Sequence, residues 1–130
     1  MKVRCVDKPW GYELIVAHTE QYAGKILNIR SGHRLSLQHH FAKDETLFLL
    51  HGETELELDV DEREPLRWRM LPDKSYRVRP GQVHRLTALT DARVLEVSTP
   101  ELDDVVRWED DYGRGCTLRN QGKVRPAGSL

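Results

Sequence analysis

The sequence predicts a single all-β domain, either a sandwich or a barrel of many short strands. Apolar residues recur with a period of two, most clearly in Glu53–Val60, where Leu56, Leu58 and Val60 share one face and acidic residues take the other. Strand candidates are spaced about 8–12 residues apart, as in all-β folds. No strand–helix alternation precedes residue 100, which argues against a parallel sheet.

Nine segments carry the strand pattern. In chain order they are Tyr12–Val16, Lys25–Ile29, Arg34–His39, Thr46–Leu50, Glu53–Val60, Arg67–Leu71, Tyr76–Arg79, His84–Ala88 and Val94–Ser98. The turn residues that separate them are Ala23-Gly24, Ser31-Gly32, His51-Gly52, Pro72-Asp73, Pro80-Gly81 and Thr90-Asp91. Each strand is therefore bounded by residues that favour a reversal of the chain.

One segment after the strands has helical features. Thr99 is suited to the N-cap and Pro100 to the first helical position, while Gly113 would end the helix. The acidic residues in between fit an ordered loop equally well, so the segment is expected to be a short C-terminal helix or a loop. Periodicity is lost after Arg114, which predicts a domain over residues 1–114 and a flexible tail over 115–130.

The charge balance, the absence of long apolar runs and the cysteine spacing argue against several classes of protein. The 130 residues carry 20 Lys+Arg and 21 Asp+Glu, a formal net charge of −1 that is unlike a nucleic-acid or polybasic membrane binder. No apolar run approaches the ~20 residues of a membrane span. Cys5 and Cys116 have no metal or redox spacing, and reduced thiols are a simpler interpretation than one terminal disulfide. A cytoplasmic protein is expected.

Four polar residues stand where an all-β core does not need them. Gln38 and His40 are two apart on a predicted strand and share a face, Glu45 follows a short connection, and His84 begins a strand after a Pro-Gly turn. Two imidazoles, a carboxylate and an amide oxygen suit Zn²⁺, Mn²⁺, Fe²⁺, Co²⁺ or Ni²⁺ without choosing among them. The alternative is that they are ordinary polar groups at a barrel rim.

The spacing of these residues resembles the two cupin motifs. Gly32, Gln38, His40, Glu45 and Gly52 match the first motif, with Gln38 in the first-histidine position, and Arg79-Pro80-Gly81-Gln82-Val83-His84 matches the second. The chain is most similar to the cupin domain of type II mannose-6-phosphate isomerases, a family in which glutamine is usual at that position. The resemblance covers residues 8 to 114, including Lys8-Pro9-Trp10-Gly11, Asp103-Asp104-Val105-Val106-Arg107 and Asp110-Asp111-Tyr112-Gly113-Arg114. It implies a cupin-type double-stranded β-helix, or jelly-roll barrel.

The resemblance is incomplete around the expected site. Lys43 stands where the family has arginine, Thr46 and Leu47 replace a His-Trp pair, and Ala88 replaces a common asparagine. The metal ligands are retained, while the surrounding pocket differs. Metal binding is therefore better supported than a particular sugar phosphate.

The resemblance implies an aldose–ketose isomerase or epimerase acting on a mannose-6-phosphate-like substrate. Lys43 or Glu96 could move the proton, and Arg34 or Arg85 could hold the phosphate.

Arg107 and Arg114 are expected to tie the C-terminal segment to the barrel, and His39 to lie on the surface. A homodimer pairing through Trp10–Val16 is also expected, since family members commonly pair through edge strands. The alternatives are another metal-cupin enzyme, such as an oxygenase or lyase, or a non-catalytic carbohydrate-binding cupin.

Overall fold

The computed structural model describes residues 2–114, which form two antiparallel sheets. The strands are β1 Arg4–Lys8, β2 Gly11–His18, β3 Ala23–Ile29, β4 Leu37–His39, β5 Glu45–His51, β6 Thr54–Leu58, β7 Leu66–Arg69, β8 Ser75–Val78, β9 His84–Ala88, β10 Ala92–Ser98 and β11 Val106–Glu109. The six-stranded sheet has the order β1-β2-β3-β10-β5-β8, and the five-stranded sheet has the order β11-β4-β9-β6-β7. The all-β jelly roll predicted from the sequence is confirmed.

The apolar core lies between the two sheets and follows from the period-two pattern. In β6, Leu56 and Leu58 are buried against inward residues of the facing sheet such as Leu47 and Val94, whereas Glu57 is only partly covered. Burying one apolar face of each sheet is the main stabilising term for such a fold. No helix able to cross a bilayer is found among residues 2–114.

The C-terminal segment is a turn and a strand, so of the two expectations, a helix or a loop, the helix is wrong. The Thr99 hydroxyl accepts a hydrogen bond from the Asp44 amide at 3.0 Å, and the Thr99 amide donates to the Asp44 carbonyl at 3.0 Å. Val106 and Arg107 then pair with β4 as strand β11. Contacts with the rest of the barrel outweigh the local helix signal in this segment. The tail predicted over 115–130 lies outside the described residues.

Strand β1 was not expected from the sequence, and it changes the prediction about pairing. β1 pairs with β2 from Arg4 to Lys8, and β2 also pairs with β3, so neither edge of the Trp10–Val16 segment is open. That segment therefore cannot add a second copy by strand pairing. β1 is the edge strand at this end of the six-stranded sheet. An exposed edge strand can pair with a strand of another chain.

Candidate metal centre and its cavity

Three of the four predicted ligands converge in the structure. One ligand atom from each of His40, Glu45 and His84 lies within 4.8 Å of the other two, and all three residues are buried. Glu45 Oε1 is 3.5 Å from His40 Nε2 and 3.3 Å from His84 Nε2. Gly81, whose φ of 82° is left-handed, donates its amide to the His40 carbonyl at 2.6 Å. That hydrogen bond draws the turn before His84 against the end of β4.

The two imidazoles are oriented as metal ligands usually are. Nδ1 of His40 is hydrogen-bonded to the backbone carbonyl of Asp104, and Nδ1 of His84 lies 2.8 Å from the carbonyl of Gln82. When each Nδ1–H donates to a carbonyl, each Nε2 presents a lone pair toward Glu45. His40 Nε2 is buried and has no hydrogen-bond partner. A buried acceptor in this position fits a divalent cation.

Gln38 lies beside this group. Its Cα pairs with that of His84 across β4 and β9, and its side chain borders a small cavity together with Glu45 and His84. The Oε1 atom of Gln38 accepts a hydrogen bond from the Ser36 hydroxyl at 2.7 Å. Gln38 can therefore supply a fourth, oxygen ligand next to the three that converge.

Lys43 and Glu96, the residues predicted to move a proton, lie next to the ligands and contact each other. Lys43 Nζ is 2.8 Å from Glu96 Oε2 and 3.1 Å from Glu45 Oε2. Burial alone would lower the pKa of Lys43, but the carboxylates of Glu96 and Glu45 outweigh it and hold that pKa above its ordinary value. Burial would raise the pKa of Glu45, but the Lys43 ammonium opposes this effect, and that pKa is held well below its ordinary value. Lys43 is thus an ammonium and Glu45 a carboxylate at neutral pH.

A row of alternating charges extends from this group across the six-stranded sheet, with one member on each of five neighbouring strands. We call it the charged row, and its members are Lys8 on β1, Glu13 on β2, Lys25 on β3, Glu96 on β10 and Glu45 on β5, with Lys43 between the last two. Glu13 Oε1 is 3.7 Å from Lys8 Nζ and 3.5 Å from Lys25 Nζ. Lys25 is directly opposite Glu96 in the register, and their charged atoms are 3.9 Å apart. All members are buried.

All members of the charged row except Glu45 line a cavity of about 50 Å³. By the ~10–15 Å³ that one water needs, it has room for about three to five water molecules. The polar residues of the cavity wall are Lys8, Glu13, Lys25, Ser36, Gln38, His40, Lys43, Glu96, Arg107 and Arg114. Two of the candidate metal ligands, Gln38 and His40, thus line the same cavity as five cationic side chains, while Glu45 and His84 border the small cavity next to Gln38.

Arg34 and Arg85, predicted to bind phosphate, are not brought to this cavity. Arg34 makes a two-pronged ion pair with Asp111, and Arg85 donates to the carboxylate of Glu109 at 3.0 Å and to its carbonyl. These contacts bind the C-terminal segment to the barrel, the task that the sequence assigned to Arg107 and Arg114. Arg107 and Arg114 line the cavity instead, and Arg114 also contacts Asp110 at 2.9 Å.

Asp104 positions the loop that carries two site residues, and sequence reasoning did not single it out. Its carboxylate accepts hydrogen bonds from the amides of residues 41, 42 and 43 at 3.0, 2.7 and 3.0 Å, while its carbonyl holds the His40 ring. Partial burial raises the pKa of Asp104, but these three amides outweigh it and leave the pKa below its ordinary value of 3.8. The carboxylate therefore stabilises the folded loop whenever it is ionised.

Replacing Asp104 with alanine is expected to lower the free energy of unfolding at pH 7 by about 1–3 kcal/mol, because three amides lose a charged acceptor. The pKa of Asp104 is lower in the folded than in the unfolded chain, so its stabilisation is present above pH 3.8 and is lost as the pH falls further. Urea unfolding of wild type and variant from pH 7 to pH 2.5 measures this difference. Asp103→Ala, at an exposed neighbour, is the control. An unchanged difference at low pH would contradict this assignment.

The inward charges of the row have a weak signal in the sequence. Glu13 shares a strand face with Ile15, and Lys25 shares one with Leu27, so each is a charged residue at an inward position of an otherwise apolar face. Such a residue is a candidate for a buried ionic site.

His39 is half-buried rather than fully exposed, and its Nδ1 accepts a hydrogen bond from Trp108 Nε1 at 2.8 Å on the face opposite His40.

Comparison with known proteins agrees with the fold. A family model described as mannose-6-phosphate isomerase C-terminal matches residues 2–110. KdgF from a Halomonas species superposes with a TM-score of 0.64 at 22% identity, over 75% of this chain and 87% of that chain. The capsular polysaccharide assembling protein CapF from Staphylococcus aureus superposes with a TM-score of 0.68 at 15% identity, over 83% of this chain and 34% of that chain.

Oxalate decarboxylase from Bacillus subtilis, a protein with Mn(II) centres, superposes with a TM-score of 0.65 at 15% identity over 75% of this chain and 27% of that chain. The chain thus spans about a third of CapF and about a quarter of oxalate decarboxylase. A comparison with curated proteins gives no match. These structural neighbours are cupins, and at such identities the likeness establishes the fold and leaves the reaction to be argued from the site.

Proposed function

Because the chain belongs to the mannose-6-phosphate isomerase C-terminal family, we propose that it is a metal-dependent isomerase of phosphorylated aldoses, acting on a mannose-6-phosphate-like substrate. The observation that carries the proposal is the convergence of His40, Glu45 and His84 beside a cationic cavity. Two imidazoles and a carboxylate leave coordination positions open, which is typical of catalytic rather than structural metal sites. The enclosed cations favour an anionic substrate.

The ligands of the metal would be His40, His84, Glu45 and Gln38, a set suited to Zn²⁺, Mn²⁺, Fe²⁺, Co²⁺ or Ni²⁺. When bound, the ion supplies Lewis-acid polarisation of the oxygens on C1 and C2 of the sugar. The protein fixes the orientation of the two imidazoles, because a backbone carbonyl is hydrogen-bonded to Nδ1 of each ring.

The isomerisation moves one proton from C2 to C1 and a second from the hydroxyl on C2 to the oxygen on C1. Glu96 is the group best suited to the carbon-bound proton, since it is a buried acceptor on the cavity wall. Lys43 is held as an ammonium by Glu96 and Glu45, so it has no lone pair with which to act as a base. Its role is to place a positive charge next to the carboxylates and beside the reacting oxygens.

The proposal is tested by loading the purified protein with each candidate metal and measuring conversion of mannose 6-phosphate to the ketose. Glu96→Gln is expected to reduce kcat by about 10²–10⁴-fold, the usual contribution of general acid–base catalysis, with one metal per chain retained. Glu62→Gln, at an exposed position, should leave kcat unchanged. Absence of turnover with every metal would contradict the proposal, and metal-dependent oxygen consumption would favour an oxygenase instead.

A further inference from the structure

The face of the six-stranded sheet that points away from the core is apolar. Side chains alternate between the two faces of a strand, so the neighbours of inward residues such as Glu13, Lys25 and Glu96 point outward. An antiparallel sheet with one face on the core normally carries polar side chains on the other. Here the outward residues, which we call the outer apolar face, are Tyr12 and Leu14 on β2, Ile26 on β3, Phe48 and Leu50 on β5, and Leu95 and Val97 on β10.

The strand register joins the centre of the outer apolar face into one row. Leu14 lies opposite Ile26 on the next strand, and Ile26 lies opposite Leu95. Leu95 in turn lies opposite Phe48 on β5. These four side chains are half-buried, because they pack against one another along the row. The apolar surface is therefore continuous across four neighbouring strands.

The ends of the outer apolar face are open to solvent, and the face carries almost no charge. Tyr12, Leu50 and Val97 are 42%, 46% and 47% exposed. Along β2, β3, β5 and β10, all within the described part of the chain, Arg93 is the one Lys, Arg, Asp or Glu side chain that points outward. Its Nε donates to the side-chain oxygen of Asn28 at 3.1 Å. A partner for this face thus needs apolar surface rather than an opposite charge.

The outer face of the five-stranded sheet follows the usual pattern instead. Arg67 on β7 donates to the carboxylate of Glu55 on β6 at 2.7 Å, and Arg69 lies 3.9 Å from Glu53. Water solvates those charged side chains, so that face needs no cover. The contrast singles out the outer apolar face, since a contiguous exposed apolar patch marks an interaction surface.

We propose that the outer apolar face binds the same face of a second copy, so that two chains form a homodimer with their six-stranded sheets packed face to face. A two-fold axis between the copies lets one patch form both halves of the interface. Sheets in such contact lie about 10 Å apart with their strands about 30° from parallel, an arrangement that two sheets of the same twist can adopt. The inference does not depend on the reaction proposed above.

The size of the face suits a dimer of moderate affinity. Four strands about 4.8 Å apart and five residues long give a flat area of about 320 Å² per copy, which β1 and β8 extend to about 500 Å². Two copies would then bury about 1,000 Å², the lower limit for a specific interface. A Kd in the micromolar range is therefore expected.

The C-terminal tail is a poorer cover for this face than a second copy. Residues 115–130 contain three Leu or Val residues and an equal number of Lys or Arg residues. Burying those cations against an apolar sheet without partners would be unfavourable. A second copy brings seven apolar side chains and one arginine that already has a partner.

The experiment is sedimentation velocity of the full chain from about 5 to about 300 μM, a range that brackets a micromolar Kd. Wild type should pass from a 15.1 kDa monomer to a dimer of twice that mass. Leu50→Lys should raise the Kd by at least about 100-fold, because each dimer would bury two unpaired ammonium groups. Val97→Lys, at the opposite end of the face, should do the same. Leu71→Lys, at a 56% exposed leucine beyond the end of β7, is the matched control and should dimerise like wild type.

Two results would overturn the proposal. One is a wild type that stays monomeric at the highest concentration. The other is an unchanged Kd in both Leu50→Lys and Val97→Lys, which would assign association to another surface such as the edge of β1. Far-ultraviolet circular dichroism confirms that each variant is folded, and the exposure of both positions favours this.

Dilution of wild type provides a measurement that needs no variant. The methyl signals of Leu14, Ile26 and Leu95 in a nuclear magnetic resonance spectrum should shift between concentrated and dilute samples, while those of Leu71 should not. Concentration-dependent shifts confined to the backbone amides of β1 would show pairing through the sheet edge and would contradict the face-to-face dimer.

Discussion

Replacing His84 with alanine is expected to abolish stoichiometric metal binding and isomerase turnover while the barrel stays folded. His84 Nε2 is 3.3 Å from Glu45 and shares the convergence point with His40. Removing only an outer partner of a metal ligand typically weakens metal binding by 10–100-fold, so loss of a ligand itself should exceed about 100-fold. The apolar faces of β9, including Leu86 and Ala88, are untouched by the change.

The measurement is elemental analysis after dialysis against buffer that holds no metal, together with far-ultraviolet circular dichroism. His51→Ala provides the matched control, because His51 is an exposed histidine at the end of β5 and should leave the metal content at that of wild type. One equivalent of metal in folded His84→Ala would refute the assigned ligand set. Unfolding of the variant would show instead that His84 is needed for the barrel.

The convergence of His40, Glu45 and His84 was predictable from the sequence because their positions follow from local rules. Residues two apart on one strand share a face, which predicts that Gln38 and His40 lie side by side. The Pro-Gly turn at residues 80–81 predicts a new strand that begins at His84. The spacing of these residues also resembles known cupin motifs. Most strand centres were predicted on the same basis, since buried and less buried side chains alternate along strands such as β6 and β8.

The charged row could not be predicted in the same way. Its members come from β1, β2, β3, β10 and β5, which are neighbours in the sheet although the chain visits β10 long after β3. Lys25 and Glu96 meet across the register of two strands separated by more than sixty residues of sequence. Periodicity shows that a residue faces inward, but only the strand order shows which charge it meets. For the same reason, the sequence could not show that Arg34 and Arg85 form ion pairs with Asp111 and Glu109.

The helical alternative for the segment after Thr99 failed for a related reason. Thr99, Pro100 and Glu101 have the residue types of a helix start, yet the Thr99 hydroxyl is used by the Asp44 amide and the Asp104 carboxylate by the loop after β4. Local capping signals are worth only about 1 kcal/mol each, so several tertiary hydrogen bonds exceed them. The same contacts hold His40 and Lys43 in place, which links this segment to the site.

The second large effect is expected at Lys43. Lys43→Met leaves the buried carboxylates of Glu45 and Glu96 without their common cation, and breaking a buried ion pair from one side costs about 3–5 kcal/mol. The free energy of unfolding of the metal-free protein should fall by that amount at pH 7. Lys74→Met, at an exposed position, should change it by less than about 0.5 kcal/mol. A bound divalent metal should restore part of the loss, since it neutralises Glu45.

Two further measurements separate this charge effect from a packing defect. The double variant Lys43→Met/Glu96→Gln removes one charge of each sign and should recover about half of the lost stability or more, because fewer unpaired carboxylates remain buried. The pKa of Glu45 is held well below its ordinary value of 4.5 in wild type, so that stabilisation is present above pH 4.5 and is lost as the pH falls further. The gap between wild type and Lys43→Met should therefore close in acid. A gap that persists at pH 2.5, with no recovery in the double variant, would mean that Lys43 stabilises the barrel through packing alone.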